Sequence, residues 1–183
     1  GADRFLLRHE SATKSLYESI HNTESFEERR ECLKNLKEIG FQAGAGFMVG
    51  LPNQTNENIV DDLRYVKELE PAMCGIGPFI PHKDTPLRDC EAGTTEKTVI
   101  LLAITRLLLP KVLLPATTAL ASIDANGRNE GLRAGANVIM PNLSPMNVRK
   151  KYSLYNNKAF ILDEDAEYRQ SIEQKLNEAG FIL

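Results

Sequence analysis

The sequence has few of the residues from which disulfides, metal sites and hydrolytic triads are built. Its 183 residues include three cysteines, three histidines and no tryptophan. The cysteines (Cys32, Cys74 and Cys90) are odd in number and widely spaced, which argues against a disulfide framework and against a local zinc or iron–sulfur motif. The histidines are too scattered for a two-histidine metal pattern or a Ser-His-Asp arrangement. We therefore predict no metal ligands, no hydrolase chemistry and a reducing, cytoplasmic location.

Long apolar runs and runs of like charge are also missing. The longest apolar stretch, residues 99–109, is interrupted by Thr105 and Arg106 and is shorter than the roughly 20 residues that a membrane span needs. The net charge is −3 without a basic cluster, so neither nucleic acid nor an anionic membrane is expected as a partner. With 42% hydrophobic and 26% charged residues, the composition predicts one globular domain over residues 1–183.

A β-rich segment followed by an amphipathic helix recurs along the chain. The predicted strands are residues 4–8, 41–51, 73–80, 112–118 and 137–141. The predicted helices are residues 14–21, 26–39, 56–69 and 95–109, a short helix ending at residue 135, and residues 165–179. The strands begin about 25 to 40 residues apart, which is close to the repeat of the βα units in a TIM-type barrel.

This alternation predicts an α/β fold, specifically a partial TIM-type (β/α) barrel with a C-terminal tail and helix in residues 142–183. A doubly wound open sheet has the same alternation of strands and helices. Only the absence of its G-x-G-x-x-G turn argues against that alternative.

Local signals add detail to this prediction. Ser25 with Glu28 forms a capping-box pattern, and Thr55 is placed to cap the following helix. The charged residues of that helix, Asp62 among them, are predicted to face water. The glycines within residues 41–51 weaken a strand, so they suggest that something approaches this backbone closely.

Polar residues follow the predicted strands at the ends that face the substrate in barrel enzymes. Arg8 and Glu10 are predicted to point the same way, because alternate residues of a strand share a face. A carboxylate there can accept hydrogen bonds from a ribose diol or an amine, and a structural ion pair is the alternative. Arg29 lies either near this pocket or, as sequence alone favours, on the surface. Thr117 and Thr118 either bind a ligand's carboxylate or are ordinary strand residues.

Five segments together resemble the biotin-synthase-like radical S-adenosylmethionine (SAM) enzymes, and among these the HydE-type maturases of [FeFe]-hydrogenase. They are GADRFLLRHE at residues 1–10, GFMVGLP at 46–52, GIGPFIPH at 75–82, PATTA at 115–119 and GANVIMPN at 135–142. Biotin synthase and methylornithine synthase share the glycine-rich and GAN segments. Residues 113–118 lack the arginine that ligates an auxiliary cluster in biotin synthase, which counts against that enzyme.

The resemblance implies that the chain supplies strands four to eight of a radical SAM barrel, together with the biotin/thiamin-synthesis-associated region. It implies that four residues contact SAM, with Met73 beside the adenine. It also implies that four other residues line a substrate cavity. The implied SAM residues are Arg8, Glu10, Arg29 and Met73. The implied substrate residues are Thr117, Thr118, Met140 and Tyr152.

The resemblance also implies a reaction that begins at a [4Fe–4S] cluster, where SAM gives a 5′-deoxyadenosyl radical. The substrate would be a small molecule or an iron-bound cysteine species, and the partners would be other hydrogenase maturation proteins. The cluster's three-cysteine motif is not in this sequence, so the isolated chain is expected to be inactive and to hold neither cofactor tightly. Its unpaired barrel edges predict a homo-oligomer. A non-catalytic half-barrel binding module is the alternative.

Overall fold

Parallel strands alternate with helices along the part of the chain that the computed structural model describes, which is residues 1–140, 148 and 169–182. The strands are β1 (Arg4–Leu6), β2 (Gln42–Val49) and β3 (Met73–Pro78). The helices are α1 (Lys14–Ile20), α2 (Phe26–Glu38), α3 (Asn56–Leu69), α4 (Thr95–Leu108), α5 (Thr118–Ile123), α6 (Gly127–Arg133) and α7 (Arg169–Glu178). No helix in these residues is long and apolar enough to cross a membrane.

The strands form an open parallel sheet in the order β1-β2-β3. Two isolated parallel bridges continue it, one from Met73 to Leu113 and one from Pro115 to Val138. The chain is therefore an α/β protein with a parallel sheet, as predicted. The strands predicted at residues 112–118 and 137–141, however, pair only through these bridges. In the first of these segments, Pro115 has no N–H to donate and Thr117 caps α5, so a longer ladder does not form.

The first strand is shorter than the predicted residues 4–8. Pairing with β2 stops after Leu7, whose N–H donates to the Gly44 carbonyl over 3.0 Å. It resumes at Glu10, which bridges to Phe47. Glu10 has a φ of 66°, in the left-handed region. Residues 8 and 9 therefore separate β1 from the resumed pairing, which begins at a left-handed residue.

The helix boundaries follow the capping signals. The Ser25 side chain accepts a hydrogen bond from the Glu28 N–H at the start of α2. Thr55 and Asn58 form a reciprocal capping box at the start of α3. The caps predicted at Ser25 and Thr55 are confirmed, but the reciprocal bond of a capping box is found at Thr55 and Asn58 and not between Glu28 and Ser25. The short helix α5 was missed, because Thr117 and Thr118 fit a strand as well as a helix start.

One face of the sheet packs against α3, α4 and α5. The buried cluster there consists of Phe47, Val49, Cys74 and Ile76 from the sheet, Ile59, Val66, Leu101, Leu102 and Leu120 from the helices, and Val112 and Leu114. A second buried cluster joins Leu176 of α7 to Ala116, Leu132 and Ala136. Most of the predicted tail over residues 142–183 lies outside the described residues.

The glycines of β2 allow that strand to lie close to β3. A Cβ built on Gly46 would lie 2.0 Å from the carbonyl oxygen of Gly75. A residue with a side chain would not fit at this position. The group that approaches the glycine-rich backbone of residues 41–51 is therefore the neighbouring strand β3.

Candidate functional site

The carboxyl end of β1 places Arg8 and Glu10 side by side. Arg8 Nη2 lies 3.6 Å from Glu10 Oε2, and it donates a hydrogen bond of 2.6 Å to the Phe47 carbonyl of β2. The two side chains are 30% and 17% exposed, respectively. The two side chains meet as predicted, although β1 ends at Leu6 and strand alternation does not bring them together. They form a half-buried ion pair at the edge of the sheet where the strands end.

Two polar atoms of this pair are buried and lack a hydrogen-bond partner within the described residues. They are Arg8 Nε and Glu10 Oε2. A buried polar atom without a partner costs about 1–3 kcal/mol, so both atoms are suited to a ligand that supplies the missing contacts. A hydroxyl or amine can donate to Glu10 Oε2, and an acceptor atom can receive from Arg8 Nε.

Arg29 of α2 contacts the backbone of Arg8 and the side chain of Tyr17. Its Nη1 donates to the Arg8 carbonyl over 3.0 Å, and its Nε donates to the Tyr17 hydroxyl over 2.8 Å. Its Nη2 pairs with Glu24, and this hydrogen bond lowers the pKa of the Glu24 carboxyl. The surface position that sequence favoured for Arg29 is wrong. In this arrangement Arg29 holds the backbone of Arg8.

The structure also contains a buried pair that the sequence did not reveal. His9 Nε2 lies 3.3 Å from Asp62 Oδ1 of α3, and both side chains are almost completely buried. Burial lowers the pKa of His9 and raises the pKa of Asp62. The prediction that Asp62 faces water is wrong. It lies three residues after Ile59 and four before Val66, both buried, and this spacing could have placed it on the inner face.

Thr117 lies over the carboxyl end of β3. A Cβ on Gly77 would lie 2.9 Å from its hydroxyl oxygen. That oxygen accepts from the Leu120 N–H over 3.4 Å, which caps α5. The cap uses a lone pair and leaves the hydroxyl proton free to donate. Thr118 is the first residue of α5.

The remaining predicted site residues lie elsewhere. Met73 begins β3, three residues before Ile76, which pairs with Phe47. Three residues of a strand span about 10 Å, so the structure does not bring the Met73 backbone to the level of Glu10. Met140 follows the bridge at Val138 and is half exposed. Tyr152 lies outside the described residues.

The cysteines do not form a metal site in the described residues. Residues 1–140, 148 and 169–182 contain no group of three or more histidine, cysteine or acidic side chains able to hold a metal ion. Cys32 is exposed, Cys90 is half-buried, and Cys74 is buried with its pKa raised to about 12 by desolvation. Cys74 is thus a protonated thiol within the core and unsuited to bind iron as a thiolate.

Comparison with known proteins gives the family. No family model matches the chain. The [FeFe]-hydrogenase maturase subunit HydE of Thermotoga maritima is 50% identical over 165 residues, which are 90% of this chain and 47% of that protein. A biotin synthase from Rippkaea orientalis is 31% identical over 129 residues, which are 70% of this chain and 35% of that protein. The chain belongs to the biotin-synthase-like radical SAM family.

Other members of this family extend the comparison. The 3-methylornithine synthase of Methanosarcina acetivorans is 33% identical over 139 residues, which are 76% of this chain and 39% of that protein. The crystal structure of a methylornithine synthase superposes with a TM-score of 0.78 at 24% identity, over 100% of this chain and 52% of that chain. The two share a fold. This radical SAM family member spans about half the length of its curated relatives, or less.

Proposed function

We propose that this chain is part of a HydE-like radical SAM enzyme and contributes SAM and substrate contacts to hydrogenase active-site assembly. The 50% identity to HydE supports this choice over methylornithine or biotin synthesis, whose enzymes are 33% and 31% identical. The observation that carries the proposal is Glu10 Oε2 at the carboxyl edge of the sheet, which is buried, lies 3.6 Å from Arg8 Nη2 and has no hydrogen bond within the described residues. Ligands of barrel enzymes bind at this edge.

The proposed fold of the whole enzyme is a (β/α) barrel, of which this chain supplies strands four to eight. Five successive positions support this assignment, namely β1, β2, β3 and the parallel bridges at Leu113 and Val138. The structural match over 52% of a methylornithine synthase chain agrees with a partial barrel.

The proposed SAM site is centred on Glu10. Glu10 Oε2, which has no hydrogen bond within the described residues, accepts from the ribose hydroxyls or the amino group of SAM. Arg8 Nη2, 3.6 Å from the same oxygen, holds the carboxylate in place. Arg29 supports this arrangement through the Arg8 carbonyl. When SAM is bound with a reduced cluster it supplies the 5′-deoxyadenosyl radical, and the protein positions and shields the reacting groups.

The proposed substrate is a small molecule or an iron-bound cysteine species with a carboxylate. Thr117 can donate its hydroxyl proton to that carboxylate while it caps α5. Thr118, Met140 and Tyr152 complete the proposed cavity. The described residues do not fit a [4Fe–4S] cluster, so the cluster is assigned to a part of the enzyme outside them. Other hydrogenase maturation proteins are the proposed partners.

Replacement of Glu10 tests the proposal. Glu10→Ala should weaken SAM binding by about 1.5–3 kcal/mol, because a charge-assisted hydrogen bond is lost. Equilibrium dialysis of labelled SAM against the full-length enzyme measures this as a rise in the dissociation constant of about 10-fold to 150-fold. Glu28→Ala removes an exposed carboxylate on α2 and serves as the matched control. Equal affinity in the wild-type and Glu10→Ala proteins would overturn the assignment.

A further inference from the structure

Glu10 has a backbone conformation that its own side chain disfavours. Its φ of 66° lies in the left-handed region, where a residue with a Cβ is strained. Its N–H donates to the Gly46 carbonyl over 3.0 Å, and its carbonyl accepts from the Met48 N–H over 3.3 Å. Such a conformation persists only where the surrounding structure imposes it.

His9 fixes the chain immediately before Glu10. The Gly46 N–H donates to His9 Nδ1 over 3.3 Å, so this nitrogen carries no proton. The proton is therefore on Nε2, which donates to Asp62 Oδ1 over 3.3 Å. The imidazole also packs edge-on against Tyr65, at 4.8 Å between ring centroids. Every polar atom of the ring is thus engaged with β2 or α3.

Asp62 fixes the chain after Glu10 as well. The Ala12 N–H donates to the same Oδ1 atom over 2.5 Å. One carboxylate oxygen of α3 therefore holds the residue before Glu10 and the second residue after it. Thr13 reinforces this link, since its hydroxyl donates to Asp61 over 3.2 Å and accepts from Asn58 over 3.1 Å.

The pair is too deeply buried to contact a ligand itself. His9 and Asp62 are enclosed between the sheet and α3, with side-chain exposures of 1% and 0%. Burial of a carboxylate and an imidazole is costly, and an apolar pair of the same volume often stabilises a core as well or better. An apolar pair would leave the Gly46 and Ala12 N–H groups without these acceptors, so the polar pair fixes the backbone on both sides of Glu10 in a way that apolar packing cannot.

We propose that the buried His9–Asp62 pair is a positioning device that holds Glu10 in its left-handed conformation, so that the carboxylate faces the ligand. The proposal rests on the proposed function, because it takes Glu10 to be the SAM-binding carboxylate. His9 and Asp62 act through Glu10 and do not touch SAM.

Substitutions of Asp62 separate positioning from bulk stability. Asp62→Ala removes the shared oxygen and should raise the SAM dissociation constant at least 10-fold. Asp62→Asn keeps an oxygen that accepts from both His9 and Ala12, so its affinity should stay within threefold of the wild-type value. In a Glu10→Ala background, Asp62→Ala should add less than a twofold loss, because the group it positions is already gone. Fully additive losses would show that the pair acts on the fold and not through Glu10.

Hydrogen exchange followed by mass spectrometry provides a measurement that needs no ligand. In Asp62→Ala, amides in residues 9–13 should exchange at least 10-fold faster, while those of β3 should keep their wild-type rates. Unchanged protection of residues 9–13 would overturn the proposal, whether or not SAM binds. If Asp62→Ala does not fold, His9→Asn takes its place, since asparagine can still accept from the Gly46 N–H but cannot reach Asp62.

The two proposals fail in different ways. A full-length enzyme that does not bind SAM, or a full-length Glu10→Ala variant that binds SAM as tightly as the wild type, refutes the SAM site. The hydrogen-exchange rates of residues 9–13 then test the positioning role on their own. Normal dependence on Glu10 combined with a harmless Asp62→Ala refutes the positioning role alone.

Discussion

Glu10 and Thr117 show how one side chain can serve the fold and still leave an atom free for a ligand. The backbone of Glu10 continues the pairing with β2, while its buried Oε2 atom has no hydrogen bond in the described residues. Thr117 caps α5 with its oxygen and keeps its hydroxyl proton. Both residues lie at the carboxyl ends of parallel strands or bridges, so polar groups from different elements meet there.

The two threonines can be tested together. Thr117→Val with Thr118→Val should reduce substrate turnover more than SAM cleavage in a full-length enzyme reconstituted with iron and sulfide, because the hydroxyls are proposed to hold substrate. Product formation and 5′-deoxyadenosine release measure the two activities separately. Thr105→Val, which removes a buried hydroxyl without a partner among the described residues, is the matched control. An equal loss of both activities would mean that the pair is structural.

For individual residues, the sequence predicted side-chain positions that follow from neighbours in the chain and missed positions that depend on tertiary contacts. The proximity predicted for Arg8 and Glu10 is found, but not for the predicted reason, because β1 ends at Leu6 and Glu10 has a left-handed backbone. The burial of Asp62 was missed because a charged residue in a helix is usually solvated. Its partners, His9 and Ala12, are about 50 residues away in sequence, and nothing local reveals them.

At the scale of elements, the close approach of β2 to β3 depends on glycine on one side only. Gly46 and Gly75 are directly paired across the two strands. A Cβ on Gly46 would meet backbone at 2.0 Å, whereas a Cβ on Gly75 would find its nearest neighbour, the Ala45 carbonyl oxygen, at 3.9 Å. Two glycines in register therefore have different tolerances for a side chain.

This difference gives a matched pair of variants. Gly46→Ala should lower the free energy of unfolding by about 1–3 kcal/mol or more, because the clash is with backbone that cannot move aside. Gly75→Ala should be neutral or slightly stabilising, since alanine restricts the unfolded chain. Urea unfolding monitored by circular dichroism compares them. Similar destabilisation by both substitutions would contradict the spacing of the two strands.

The elements themselves were predictable to different degrees. Segments with strong caps, such as α2 after Ser25 and α3 after Thr55, begin where the sequence predicted. Segments governed by pairing were less well predicted. Residues 112–118 have strand composition but pair only at single bridges, and their last two residues begin α5. The composition of residues 112–118 favours a strand. Pro115 and the α5 cap at Thr117, however, limit the number of hydrogen bonds that this segment makes with neighbouring strands.

At the scale of the whole molecule, β1 is the exposed edge of the sheet. It pairs with β2 on one side, and within the described residues no strand pairs with its other side. Phe5 and Leu6 are 48% and 43% exposed on this edge. An unpaired edge with apolar side chains is a template for association with another strand.

We therefore expect the purified chain to self-associate through β1. Sedimentation velocity should show a dimer or larger species, and Leu6→Lys should shift it towards monomer, because a lysine on an edge strand opposes pairing. Leu107→Lys is the control, since Leu107 is 81% exposed on α4 and away from the edge. A wild-type chain that stays monomeric over a wide concentration range would contradict this expectation.

The pairing order of the sheet has a consequence for how the chain assembles. Each strand or bridge pairs with the next one in sequence, across separations of 38, 29, 40 and 23 residues (Arg4 to Gln42, Gly44 to Met73, Met73 to Leu113 and Pro115 to Val138). Loop-closure entropy grows only with the logarithm of length, so these closures differ by about 0.5 kcal/mol. Within this part of the chain the sheet can therefore grow one unit at a time, in the order in which the ribosome releases the strands.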